Sequence, residues 1–293
     1  MKKIFFFLAV LWACSPAINA QDDLLDLLGD DEDTEVVYTS ATFKSTRVVN
    51  SHSIERMQAG QLDFRIHHRF GRLNTGWYEL WGLDQASMKF SFEYGVTDWL
   101  MLGVGRATFE KTYDGFAKVS LLRQSTGARN MPVSLSLLSS VVLSSLKWED
   151  PTRVNYFSSR LSYGYQVLLA RKFNQRFSLQ LMPTMVHRNL VPTELDPNDL
   201  YALGIGGRLK LTSRISLNAE YFYVLKLSQF YSTEFYNPLS IGFDIETGGH
   251  VFTLLFTNSL PMTEPGFIGQ TTGKWGRGDI HFGFNLSRVF TLK

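Results

Sequence analysis

Leu161-Ser162-Tyr163-Gly164-Tyr165-Gln166-Val167-Leu168-Leu169-Ala170-Arg171-Lys172-Phe173-Asn174-Gln175-Arg176-Phe177-Ser178-Leu179-Gln180-Leu181 decides the fold class. Leu161, Tyr163, Tyr165, Val167 and Leu169 share one parity, while Ser162, Gly164, Gln166 and Ala170 share the other. After Lys172 to Arg176 the alternation resumes, with Phe177, Leu179 and Leu181 against Ser178, Gln180 and Thr184. Side chains on a strand alternate between faces, so each run carries a continuous apolar face and a face of small, polar and charged groups. Each run is longer than an ordinary soluble strand and approaches the roughly 9–11 residues a tilted strand needs to cross a bilayer. The pair reads as a membrane hairpin.

The same unit recurs along the chain. From Gln61, Leu62, Phe64, Ile66 and Phe70 oppose Asp63, Arg65, His67 and Arg69. Met88, Phe90, Phe92 and Tyr94 then oppose Ser87, Lys89, Ser91 and Glu93, and Leu100, Leu102 and Val104 oppose Met101, Gly103 and Gly105. Arg106 to Asp114 reads as a loop before a strand near Phe116 to Leu122, and Pro192 and Pro197 mark a loop between His187 and Asp199. Counted this way, residues 61–293 form an all-β, transmembrane antiparallel up-and-down barrel of about twelve strands, with short turns and longer loops in strict alternation. A soluble barrel also alternates, but its outer parity would carry many Lys, Asp and Glu. Here the polar parity is mostly Ser, Gly, Thr and Gln, which suits a lumen. The final strand, Asp279 to Phe290, alternates Ile280, Phe282, Phe284 and Leu286 and ends near an aromatic, like the signal strand read by the outer-membrane insertion machinery.

The remainder of the chain supports export. Lys2 and Lys3, the apolar run Ile4 to Ala13 and the small residue Ala20 read as a signal peptide over 1–20, cleaved between Ala20 and Gln21. A rival reading makes Leu11-Trp12-Ala13-Cys14 a lipidation box, which bulky Trp12 fits poorly. Cys14 is the only cysteine, so no internal disulfide can form. Residues 21–35 form an acidic tail with Asp22, Asp23, Asp26, Asp30, Asp31, Glu32, Asp33 and Glu35, expected to be solvated in the periplasm. Residues 36–60, β-branched but poorly alternating, are left as linker, plug or extra strand. The apolar run Ile4 to Ala13 is too short for a membrane helix.

The stretches Ala41–Arg47, Leu62–Arg65, Glu110–Phe116, Ala170–Phe173, Val186–Pro192 and Ser240–Phe252, with the final strand, resemble an uncharacterised Bacteroidota outer-membrane β-barrel family catalogued as a domain of unknown function. The resemblance covers nearly all of the chain after the acidic tail. It implies the fold, the outer membrane, contact with outer-membrane lipid and lipopolysaccharide, and assembly by the insertion machinery. It implies no activity.

Chemistry is sparse. None of His52, His67, His68, His187, His250 and His281 has a second ligand at metal spacing, since adjacent His67 and His68 point to opposite faces. No cofactor motif occurs: Gly206-Gly207 and Gly248-Gly249 precede no helix start and read as bends. Dispersed basic residues argue against nucleic acid. A membrane lipid hydrolase would need a Ser, a His and an acid brought together in space, and no local motif selects them.

The polar parity carries the functional expectation. Asp63, Arg65, His67, Arg69, Lys89, Glu93, Arg160, Arg188, Arg208, Glu220, Asp244, Asp279 and His281 should line the lumen, because an ionised group on the lipid face costs roughly 2–4 kcal/mol at the midplane. Such a network either cross-braces the barrel or lines a path for a small polar or ionic solute. Closure should set the first strand beside the last, and Asp63 to Arg69 are expected to meet Asp279 and His281 across that seam.

Overall fold

The computed structural model describes residues 35–148 and 150–292. The leader, the Ala20/Gln21 cleavage and nearly all of the acidic tail fall outside the described residues. In chain order the strands are β1 Val36–Tyr38, β2 Gln61–Arg72, β3 Ala86–Gly95, β4 Leu100–Ala107, β5 Thr112–Leu122, β6 Ser125–Gly127 and β7 Ser134–Ser144. They continue as β8 Leu161–Lys172, β9 Phe177–Arg188, β10 Asp199–Lys210, β11 Ile215–Leu225, β12 Leu239–Thr247, β13 His250–Thr257 and β14 His281–Thr291, with a short α-helix, here α1, at Glu264–Gly269. All but β1 and β6 form a closed barrel in which each strand pairs antiparallel with its sequence neighbour and β14 pairs with β2. Closure leaves no unpaired edge in lipid, as a spanning sheet requires. No helix among the described residues is long and apolar enough to cross a membrane.

The burial pattern is inverted relative to a soluble domain. Arg65, Arg69, Lys89 and Lys118 are among the largest fully buried side chains, while Phe90, Phe92, Leu102, Val104, Leu203 and Ile205 are exposed on the outer wall. On that wall Phe70 stacks on Phe282 at 5.7 Å and His68 on Phe284 at 4.9 Å, tying β2 to β14 across the seam. His67, its chain neighbour, is buried on the opposite face.

Connection lengths depart from strict alternation at one place. The link between β4 and β5 is only Thr108–Lys111, whereas the next one carries β6. The strand starts early because Asp114, which reads as a loop residue, turns inward and meets Lys89 Nζ at 2.8 Å. Residues 36–60 contribute no barrel strand. β1 pairs with β6 in a separate two-stranded sheet, and the chain from Thr42 to Ile54 is almost entirely buried. A twelve-stranded ring is wider than the eight-stranded one that wall side chains fill by themselves. This stretch supplies the missing volume.

Candidate functional site

The site is the lumen and the segment that occupies it. The segment enters past Ala41, whose left-handed φ of 53° turns the chain, and Arg208 donates to the carbonyls of Ala41 and Thr42 at 2.7 and 3.3 Å. Lys44 pairs with Glu246. A tight hairpin follows, with Arg47 bridged to His52, Val48 N–H bonded to Ser51 O at 2.9 Å and Ser53 N–H to Thr46 O at 2.9 Å. The chain leaves past Lys118, which donates to the carbonyls of Ser53 and Glu55, and crosses under the end of β3. That crossing requires Gly95, because a Cβ there would stand 2.0 Å from the Gln58 carbonyl oxygen.

Wall residues from around the ring hold the hairpin. Glu93 accepts from Arg47 Nη2 at 2.9 Å and from Thr46 Oγ1 at 2.6 Å. Arg65, paired with Asp63 at 2.6 Å, donates to Ser45 and Thr46 at 2.9 Å each. On the far side the Glu220 carboxylate accepts from three successive backbone N–H groups, Val49 at 3.2 Å, Asn50 at 2.7 Å and Ser51 at 3.1 Å, and from the Ser51 hydroxyl at 2.6 Å. A run of backbone N–H groups is a concave anion site, and here the anion comes from the wall. Arg69 bridges Asn50 and Asn285 at 2.7 and 2.9 Å, and Asn285 donates back to Val49 O at 3.0 Å. Gln180 donates to His52 O at 2.8 Å. A buried charge persists only when paired and hydrogen-bonded, and these wall charges find their partners in the chain's own hairpin.

A second segment enters from the opposite end. The link from β13 to β14 folds inward through α1, placing Phe267 and Ile268 in an apolar cluster with Val48 and Val49 of the hairpin and Leu168, Met182 and Phe222 of the wall. The two segments meet where Glu264 Oε1 lies 3.6 Å from Arg47 Nη1 and 3.5 Å from His52 Nε2. Glycines on the inward parity make room. The ring of Phe116 occupies the side-chain space at Gly103, as the ring of Phe222 does at Gly204.

Asp63, Arg65, His67, Arg69, Lys89, Glu93, Arg208, Glu220, Asp244 and His281 are buried in the interior. His281 lies at its end, its Nδ1 bonded to Phe70 O at 2.8 Å. Arg188 lies at the mouth and donates to Pro197 O at 2.9 Å. Arg160 and Asp279 belong to the rim. Arg160 ends a 3-10 turn before β8 begins, where strand parity no longer applies, and it donates to Ser144 O while covering Trp148 at 4.0 Å. Asp279 precedes β14 and pairs with Asn74 and Arg72 at 2.7 and 3.4 Å.

The expected contacts of Asp63 to Arg69 with Asp279 and His281 do not form. Antiparallel pairing sets Asp63 opposite Val289 and His281 opposite Arg72, so the start of one strand meets the end of the other. Asp63 instead accepts from Ser287 at 2.7 Å. Alternation also gave no role to Arg47, Asn50, Ser51, Glu264 or Asp114, since the first four lie outside any alternating run. The inclusion of Ala41–Arg47 among the stretches that resemble a known family was the one signal that this segment is more than a linker.

On the outer wall His187 Nδ1 meets Asp199 at 2.6 Å. The ring stacks near Tyr163 at 6.2 Å, and among the described residues no serine hydroxyl is bonded to it.

The profile of a family described as a membrane bound beta barrel domain, DUF5777, matches residues 43–290. The chain belongs to that family. The match starts at Phe43, inside the hairpin segment, and ends at Phe290 in β14. With its apolar outer wall and closed antiparallel sheet, this DUF5777 barrel is an integral protein of the Gram-negative outer membrane. No curated protein matches it. Among solved structures it is similar to the NanC porin, at 8% identity and a TM-score of 0.48 over 79% of this chain and 99% of that one. The KdgM porin gives 9% identity and 0.45 over 80% and 99%. Omp33 of Acinetobacter baumannii gives 8% and 0.43 over 78% and 98%.

Proposed function

We propose that this barrel is a gated conduit of the outer membrane for small polar or ionic solutes, and that the hairpin at residues 42–54 is its gate. The carrying observation is that the tip of the hairpin is held chiefly by ion pairs and hydrogen bonds from Glu93, Arg65, Glu220 and Arg69. Water can replace contacts of that kind when the hairpin leaves, because the wall it uncovers at Glu93, Arg65, Arg69 and Glu220 is already polar, while Val48 and Val49 part from the apolar cluster on the other side. Planar-bilayer recording on the purified protein tests the reading. Conductance steps should be rare in the native chain and frequent once a hairpin contact is removed. Their absence from both would turn the assignment to a structural or interaction barrel without conductance. That second reading draws on the Glu264 contacts with Arg47 and His52, which close the lumen from both ends. A phospholipid or lipopolysaccharide deacylation assay covers the third possibility, for which His187 and Asp199 lack a bonded serine.

A further inference from the structure

The wall is interrupted between β8 and β9. Pro183 lies in mid-strand, and a closed barrel has no edge to accommodate it. Towards β10 Pro183 stays in register with Leu203. Towards β8 the ladder passes in unchanged register from Gln166↔Thr184 to Leu169↔Leu181, leaving Val167 and Leu168 without partners on β9 while both stay paired with β7. The Met182 carbonyl accepts from the hydroxyl two residues on, Thr184 Oγ1, at 2.9 Å, and Thr184 accepts from Gln166 Nε2 at 3.0 Å.

Two apolar spaces meet there. On the outer wall is a groove of ≈ 750 Å³ lined by Tyr165, Tyr201, Ser139 and Pro183, within the size range of small-molecule sites. Gln166 and Thr184, which are buried residues of the interior, also line it. On the inner side the wall is apolar, with Leu168, Met182 and Ala202, unlike the charged half built by β2 and β3. Helix α1 packs against β8, β9 and β10 behind the interruption, with Phe267 in the apolar cluster. Parting two strands in lipid is opposed by each backbone group left unpaired, and fewer such groups are paired here than anywhere else along β8 and β9.

We propose that the β8–β9 interruption is a lateral port for a neutral apolar small molecule, passing between the barrel interior and the hydrocarbon of the bilayer, with the Phe267 ring seated where that molecule would sit. The port is separable from the axial conduit, since it opens through the β8–β9 wall and not along the barrel axis, although Phe267 shares an apolar cluster with Val48 and Val49 of the hairpin.

The test uses the full chain in the outer membrane of intact cells and N-phenyl-1-naphthylamine, a neutral probe that fluoresces on entering hydrocarbon. Phe267→Ala should raise the initial rate several-fold over the native chain. Adding Pro183→Val, which restores a backbone N–H, should return the rate to that of cells without the barrel. Adding Ser139→Trp, which fills the groove from the lipid side, should do the same. Neither addition should alter ion conductance of the Phe267→Ala protein in planar bilayers, so failure of the port and failure of the conduit are separable. Heat-modifiable migration on gels checks folding, and if one closing variant misfolds the other decides. A rate in Phe267→Ala no higher than native, or a raised rate surviving a folded closing variant, overturns the proposal.

Discussion

Glu220→Gln probes the gate at its most concentrated contact. The carboxylate accepts from three backbone N–H groups and one hydroxyl of the hairpin tip. Hydrogen bonds to a charged group contribute about 1.5–3 kcal/mol each, although bonds sharing one acceptor do not add. Three of the four bonds fall on one carboxylate oxygen, so a glutamine with its carbonyl oxygen there keeps those three as weaker neutral bonds and loses the bond from Asn50, towards whose N–H it turns an N–H₂ donor, with water offsetting part of the deficit. A net loss of about 3 kcal/mol in seating follows, a rise of roughly a hundredfold in the unseated fraction.

Val48→Cys supplies the readout, because Val48 is buried at the hairpin tip and the chain's only cysteine is Cys14. Labelling by a small aqueous thiol reagent should accelerate roughly a hundredfold when Glu220→Gln is added, since the rate follows the open population when reclosing is fast. Asp244→Asn is the control: it removes the same charge from the lumen, yet Asp244 bonds only the wall residues Asn218 and Thr253. Acceleration of less than about threefold, under about 0.7 kcal/mol, would refute the claim that Glu220 retains the hairpin. Equal acceleration by Asp244→Asn would point to bulk lumen charge instead.

Gly95→Ala should destabilise the barrel by about 1–3 kcal/mol, because the new Cβ meets backbone at Gln58 rather than a movable side chain; a lowered temperature of heat-modifiable migration would show it. Ile205→Arg places a charge on the outer wall near mid-strand and should cost roughly 2–4 kcal/mol in denaturant unfolding from lipid vesicles. Hydrogen bonding from Ser232, and then from Thr193, holds the Asp196 carboxyl down to about 2 from an ordinary 3.8, so the folded value is depressed. The contact it makes between the β9–β10 and β11–β12 loops is therefore fully present above about pH 4 and lost as pH falls through about 2. Hydrogen exchange at Ser232 N–H, which donates to Asp196 at 2.8 Å, should lose protection only in that window, and Asp196→Asn should abolish the dependence.

The sequence made the barrel legible because parity is a local property. Asp63, Arg65, His67 and Arg69 alternate with Leu62, Phe64 and Ile66, and membrane insertion leaves only one way to orient those faces. Parity gives no vertical position. Asp279 and Arg160 share it with lumen residues yet lie at the rim, because β14 begins at His281 and β8 at Leu161. Register across the seam is likewise a tertiary property, which is why Asp279 meets Arg72 rather than Asp63. The hairpin was hidden for another reason. A segment that lies in a lumen makes contacts on every side, so Arg47 to His52 carry no period of either two or 3.6. Pro183 breaks the rule that Pro192 and Pro197 obey, since β9 continues through it, and the ladder gap on one side shows what that continuation costs.

The inward charges of this barrel differ in what they bind, and that difference bears on the choice between bracing and passage. Asp244 with Asn218 and Thr253, and Lys89 with Asp114, bond wall to wall. Those contacts would survive removal of the hairpin. Glu93 and Glu220 spend all of their hydrogen bonds on the hairpin, while Arg69 joins Asn50 of the hairpin to His68, Phe284 and Asn285 of the wall, and bracing by side chains alone would not require a segment between them. A purely structural filling would favour apolar packing, since replacing buried ion pairs by well-packed hydrophobic groups is often neutral or stabilising. The chain does pack apolar groups on the β8–β11 side, where Phe267 and Val48 lie. Charges face the hairpin on the β2–β3 side and, through Glu220, from β11, which leaves those parts of the interior able to exchange protein partners for water or a polar solute.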